Sequence, residues 1–315
     1  MTGVSTEMTR AATLTAADLR LRPGRRRREG IIRRTLFAAA ALSVVINVLI
    51  VVTLFDGTFD FVTSVDLGLL WSDGWFPRRG LYDIRTIVAG TLLVSLVAMV
   101  VAAPLGLGAA MYLSEYASRR ARRRLKPILE ILAGIPSVVM GYFALTWISP
   151  NLMQRISDAG AFSLGAAGIA VGILITPLVA SVAEDAMFAV PGSLREASYG
   201  LGARKRSTTI HVVVPAAISG IVAALILGLS RAIGETLVVA LAAGGTGGSL
   251  FTLDVTEQGQ TMTAAMTALA TGSDQVRGAS EAFPSLFFVG TLLFFMTLGL
   301  NVMSERLVRR VRQRY

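Results

Sequence analysis

The 315-residue chain is 53% hydrophobic and only 16% charged, with a mean hydropathy of +0.63. A soluble domain would carry roughly a quarter of its residues charged, so the composition points to an integral membrane protein. Cysteine is absent and histidine occurs once, at His211, which excludes disulfides, a thiolate nucleophile and a Cys- or His-based metal cluster. The net charge of +10 would suggest a nucleic-acid partner in a soluble chain, but here membrane topology accounts for most of it.

A bilayer core of about 30 Å needs roughly 20 apolar helical residues. Before the first such stretch, residues 1–34 form a basic arm with Arg25–Arg28 and Pro23-Gly24, expected to be mobile. The arm serves as an orientation signal or touches anionic lipid. The first span, Leu36–Phe55, is too long for a signal-peptide core and reads as uncleaved. With the outer loop that follows it makes a segment 35–85. Four further spans are Thr86–Leu113, Pro127–Ile148, Leu164–Val182 and Ala216–Ala243, and the last is Leu286–Met303. These five form a core over 86–304, with a cytoplasmic loop at 190–215 and a tail at 305–315. The expected fold is an all-α membrane protein with six transmembrane helices.

The basic residues orient it. Residues 1–34, Ser114–Lys126, Ala183–Pro215 and the tail together hold 24 of the 30 Lys and Arg, the alternate loops hold 5, and Arg231 is the remaining one. The richer side is the cytoplasm by the positive-inside rule, which puts both termini there.

Within the spans, Ser137 follows Ile135-Pro136. A proline frees a backbone carbonyl that needs a partner, so Ser137 either lines a path or merely follows a kink. Gly168-x-x-x-Gly172 reads as a helix-packing motif. Glu184-Asp185 reads as a solvated helix end, with a gate as the alternative.

The loop at 190–215 reads as a helix, a glycine break and a second helix. Ser193 is the expected N-cap with Glu196 completing a capping box, Leu194, Ala197 and Leu201 recur at helical spacing, and Gly202 ends the first helix. Ala203–Val214 reads as the second helix, and Pro215 as part of the first turn of the next span. Such a hairpin either docks into a groove on another protein or lies on the membrane.

Arg231 and Glu235 lie inside the fifth span. An ion in hydrocarbon is costly, about +2.5 to 3.5 kcal/mol per Arg on insertion scales, so such groups face partners, bundle interiors or wet paths. At i and i+4 the two share a helix face, next to a small-residue stripe of Gly220, Ala224, Gly228 and Ala232. They are either part of an anion path or a buried structural pair. The outer loop Gly244–Pro284, with a short surface helix expected within Gln260–Ala270, is either a connector or a contact for a delivering protein.

Glu196-Ala197-Ser198, three residues, Gly202, nine residues and Val212-Val213-Val214-Pro215 resemble the EAA loop of binding-protein-dependent ABC importer permeases. Ser198 departs from the second alanine of that pattern. Leu132–Val139 with Gly141–Leu145, Leu105–Gly108 with Tyr112–Glu115, and Gly228–Thr236 resemble the phosphate-specific (Pst) permeases, more the C-type than the A-type subunit. The resemblance covers Thr86 to the C-terminus. It implies a type I (MetI-like) permease fold at the plasma or inner membrane, with a path for inorganic phosphate at Arg231, Glu235 and Ser137. It implies ATPase coupling through Glu196, Ala197, Leu201 and Gly202. The implied partners are a second related permease, two cytoplasmic ATP-binding subunits and an extracytoplasmic phosphate-binding protein, in a lipid membrane. No cofactor is implied. The chain lacks a Gly-x-x-x-x-Gly-Lys-Ser/Thr loop, so ATP hydrolysis would fall to a separate subunit and this chain would not be an enzyme. Sulfate or molybdate importers, and an ATP-independent anion channel, are the alternatives.

Overall fold

The computed structural model describes residues 23–245, 247–272 and 281–311. The first 22 residues of the basic arm, Arg277 and the end of the tail lie outside them. The chain divides into two units, 1–53 and 54–315.

Helix α1, Pro23–Ser64, begins within the segment expected as an arm, with proline at its first position where a missing N–H costs nothing. In the second unit its end packs by side chain: Thr58 Oγ1 meets Thr291 Oγ1 at 2.7 Å, and Phe61 stacks edge-on against Tyr82. Two short strands follow, β1 (Trp75–Phe76) and β2 (Leu81–Tyr82), paired antiparallel. Burial and the nearby Glu281 carboxylate push the Tyr82 phenol up to about 12, so it stays neutral.

Asp83 caps α2, Ile84–Met111, by accepting the Arg85 N–H. The helix widens into a π turn over Tyr112–Tyr116. Ser118 then caps α3, Arg119–Ala133. Helix α4, Ser137–Phe143, continues as a wider π-helical stretch, Ala144–Met153, and a last turn, Gln154–Ile156. The span expected over Pro127–Ile148 is therefore broken: α3 and the α4 run meet at 85°. Ile135 precedes a proline and is steered out of helical geometry, and Pro136 (φ −58°, ψ 132°) is extended.

Helix α5, Leu164–Phe188, is the hub, more deeply buried than the other long helices. Its glycines take neighbouring side chains: a methyl group at Gly168 would meet Val97, and one at Gly172 would meet Val101, both on α2. The expected packing role of Gly168 and Gly172 is thus visible.

The helices of the loop at 190–215 are α6, Gly192–Gly200, and α7, Lys205–Thr208, the latter prolonged through Thr209–Val213 to Val214–Ala216. Helix α8, Ile218–Ile233, meets that run at 72°. Pro215 therefore closes the loop helix, and the next helix starts three residues later. Helix α8 ends at Gly234, and α9 covers Leu237–Ala242. Helix α10, Met262–Ala270, is buried against α2 and α11, Pro284–Val311, so the surface helix expected here is an interior one. Among the described residues, α1, α2, α5 and α11 are long and apolar enough to cross a membrane, and each bent pair would add one, giving up to six.

Candidate substrate path and coupling segment

Arg231 sits in the last turn of α8, where the helix dipole favours a cation. Its side chain is 48% exposed. Glu235 lies beyond the helix end, between Gly234 and Thr236, and its side chain is 3% exposed. Arg231 Nη1 and Glu235 Oε2 are 2.8 Å apart. The oxygen makes no well-directed hydrogen bond, so the contact is ionic and replaceable. The expectation of two groups on one helix face is corrected: the helix stops between them, because Gly234 takes the cap and Glu235 N–H turns back to the Ala232 carbonyl.

The small-residue stripe packs inside the chain. A methyl group at Gly220 would collide with Ala186 of α5, and one at Gly228 with Val179 of α5. Arg231 is left at the margin of that seam, next to Ser230, whose hydroxyl reaches Asn301 of α11 at 3.4 Å. From above, Thr263 Oγ1 at the start of α10 donates to the Glu235 carbonyl at 2.7 Å, and Met262 N–H donates to Thr91 Oγ1 of α2. The Glu235 carbonyl at the break is thereby partnered, as hydrocarbon requires. Sequence reasoning missed Thr263 and Asn301, whose signal was only a hydroxyl and an amide in apolar runs.

Ser137 begins α4 and is half-buried; no hydrogen bond joins it to Arg231 or Glu235. The two helix breaks nevertheless belong to one packing cluster. Gly141 of α4 lies against Leu241 and Val238 of α9, and Ile135 packs on the core that holds Ala232, Val238 and Val239.

In the candidate coupling segment, α6 is capped by Pro191 and no side chain bonds its first turn, so the capping box expected at Ser193 and Glu196 does not form. The C-terminus fits expectation. Gly202 (φ +78°) donates to Tyr199 O, and Ala203 N–H reaches Ser198 O, the two bonds of a Schellman ending. Leu194 packs inward, whereas Glu196, Ala197, Leu201 and Gly202 are exposed. The apolar spacing of Leu194, Ala197 and Leu201 therefore splits between two faces. Leu201 is 90% exposed, a bare apolar knob at the tip of the loop. Ser198 Oγ and Thr208 Oγ1 tie α6 to α7 at 2.9 Å.

Glu184 is corrected outright. It is buried at the end of α5, paired with Arg122 and with Lys126 Nζ at 2.8 Å, and Lys126 also reaches the exposed Asp185. A solvated helix end would leave both carboxylates in water; here α3 covers the first. No cluster of His, Asp or Glu that could hold a metal occurs among the described residues.

Residues 102–314 match the family model described as "Binding-protein-dependent transport system inner membrane component". The chain is 37% identical over 187 residues to the probable ABC transporter permease protein YqgH of Bacillus subtilis, covering 59% of each chain. It is 29% identical to the phosphate transport system permease protein PstC of Pasteurella multocida, over 84% of this chain and 87% of that one. The PstC of Haemophilus influenzae is 27% identical, over 90% and 94%. In fold it resembles a chain of a bacterial alginate ABC transporter solved with its periplasmic protein, at a TM-score of 0.58, 15% identity and coverage of 90% and 98%. A chain of the MetNI methionine ABC transporter superposes at 0.51, with 22% identity and coverage of 71% and 92%. The chain belongs to the binding-protein-dependent transport system inner membrane components, a family of multi-pass membrane permeases.

Proposed function

We propose that the chain is the permease subunit of an ATP-driven importer of inorganic phosphate, and that Arg231 handles the anion in transit. The observation that carries this reading is the half-exposed guanidinium ion-paired to a carboxylate buried at a helix break. Broken helices inside a membrane bundle are where transporters place their binding groups. The sequence likeness to phosphate transport permeases over most of the chain supports phosphate as the cargo.

A guanidinium offers paired donors that match a tetrahedral oxyanion and stays charged at any working pH. Held by one oxygen of Glu235, Arg231 keeps other N–H groups for an arriving phosphate. Glu235 competes for the same cation, which prevents the anion from being trapped. Ser137 stands at the second break and adds a hydroxyl to the path. Arg231 pairs with Glu235 between cycles and is lent to phosphate during passage.

ATP hydrolysis belongs to a separate subunit, which receives the exposed Glu196, Ala197, Leu201 and Gly202 surface of the coupling segment. A second related permease, two such ATP-binding subunits and an external phosphate-binding protein complete the assembly, with both termini of this chain on the cytoplasmic side. The test is phosphate uptake by Arg231→Lys and Glu235→Gln variants in assembled complexes. Both are expected to transport several-fold more slowly than wild type. Normal rates in both, with normal assembly, would contradict the path.

A further inference from the structure

Beside the exposed residues of α6 stands one charged side chain that points the other way. Arg195 immediately precedes Glu196, yet its side chain is 19% exposed and its guanidinium runs into the body of the protein. Nη2 reaches Glu115 Oε1 at 2.8 Å, and Nε reaches Glu115 Oε2 at 3.4 Å. Nη1 donates to the Val190 carbonyl at 2.6 Å, and Nη2 also donates to the Met187 carbonyl at 2.8 Å. Glu115 is buried, with a side chain 4% exposed, and Ser114 Oγ holds the same Oε1 at 3.1 Å.

Three elements converge on this one planar group. Glu115 belongs to the π turn that ends α2. Met187 lies in the last turn of α5, where its carbonyl also accepts the Val190 N–H, and Val190 lies just beyond the helix end. Arg195 itself rides on the coupling helix α6. A lysine, with a compact ammonium, does not reproduce this fork of donors. The apolar contacts nearby, Leu194 against the cluster of Met187, Val190 and Val213, are non-directional and allow α6 to slide. The charged fork fixes direction as well as distance.

We propose that Arg195 is the positioning residue that transmits movement of the coupling helix to the ends of α2 and α5, through its bidentate contact with Glu115 and its bonds to the Met187 and Val190 carbonyls. The inference rests on the permease reading above and adds to it a named mechanical link. A displacement of α6 by a partner subunit is thereby passed to α5, the helix against which α2 and the Arg231-bearing α8 pack. Without the fork, α6 moves alone and ATP is spent without opening the path.

The test reads phosphate transported per ATP hydrolysed in the full complex, reconstituted with its binding protein, for wild type, Arg195→Gln and Glu115→Gln. Wild type is run first: if phosphate does not stimulate its turnover, the substrate reading fails, and the ratio is then measured with whichever oxyanion does. For Arg195→Gln the ratio is expected to fall roughly tenfold while ATP hydrolysis continues. Glu115→Gln, which keeps the shape and the carbonyl bonds of Arg195, is expected to fall less, and the double variant no further than Arg195→Gln alone. An unchanged ratio in Arg195→Gln overturns the proposal. If Arg195→Gln does not assemble, Glu115→Gln decides, and an unchanged ratio there overturns it too. Loss of assembly in both overturns it as well, since the pair would then be a packing element.

Discussion

The chemistry of this permease concentrates in a few side chains that an apolar chain would otherwise not keep. Arg231 is held by Glu235 on one side and open on the other, and the two differ sharply in burial. Removing the cation leaves Glu235 buried and unpaired, which is costlier than losing the pair as a whole. Arg231→Ala is therefore expected to lower assembly as well as uptake, with uptake down about tenfold or more, the size of one charge-assisted bond lost to the passing anion, and with Glu235→Gln restoring assembly in the double variant. Transport assays on membranes of matched expression would check it. Thr263→Val removes the hydroxyl that partners the Glu235 carbonyl. Its expected cost is about 1 kcal/mol of stability, read as a lower melting temperature of the purified complex.

At the scale of elements, two helix breaks reflect local backbone rules. Pro136 stops α3 from running into α4, and the Gly234–Thr236 break stops α8 short of α9. The proline was legible in the sequence, and so was Ser137 as the residue beside it. The break at Gly234 was not, because Arg231 and Glu235 fit an unbroken helix equally well by spacing. What decides against the unbroken helix is tertiary: α10 turns inward and offers Thr263 to the freed carbonyl. The same inward turn made a Thr/Met/Ala stretch look like a surface helix when it is buried. Glu184 was misread for a similar reason, since its cations come from α3, far away in sequence. The coupling segment divides likewise. Gly202 as a helix stop needed only its own backbone, whereas the capping box failed because Pro191, two residues before Ser193, takes the cap. Gly202 has φ +78°, so Gly202→Ala is expected to cost about 1 kcal/mol locally and to loosen the tip carrying Leu201. Proteolysis of the loop should accelerate, with the transmembrane core unaffected.

At the scale of the second unit, one helix gathers several others around it. Helix α5 touches α2, α8, α9 and the α4 run, and its glycines admit α2 and the α4 run closely. Gly172→Val would press a branched side chain onto Val101 and the Ala98 carbonyl. The expected penalty is about 1–3 kcal/mol, seen as reduced accumulation in the membrane. Hydropathy alone marked the four long apolar helices, because apolar length is a local property. It could not show the bends within the third and fifth, nor which side of each helix meets α5. A compact hub with a half-open arginine at one margin and a bare coupling tip elsewhere suits a subunit that moves an anion when partners push on it.

The proposed function is import of phosphate driven by a separate ATPase. Its most direct measurement is phosphate-stimulated ATP hydrolysis by the complex that co-purifies with this chain, in lipid discs with the binding protein added. Co-purification of an ATPase and a second permease, with stimulation by phosphate and not by sulfate, is the predicted result. A chain that purifies alone and conducts anions without ATP would contradict it.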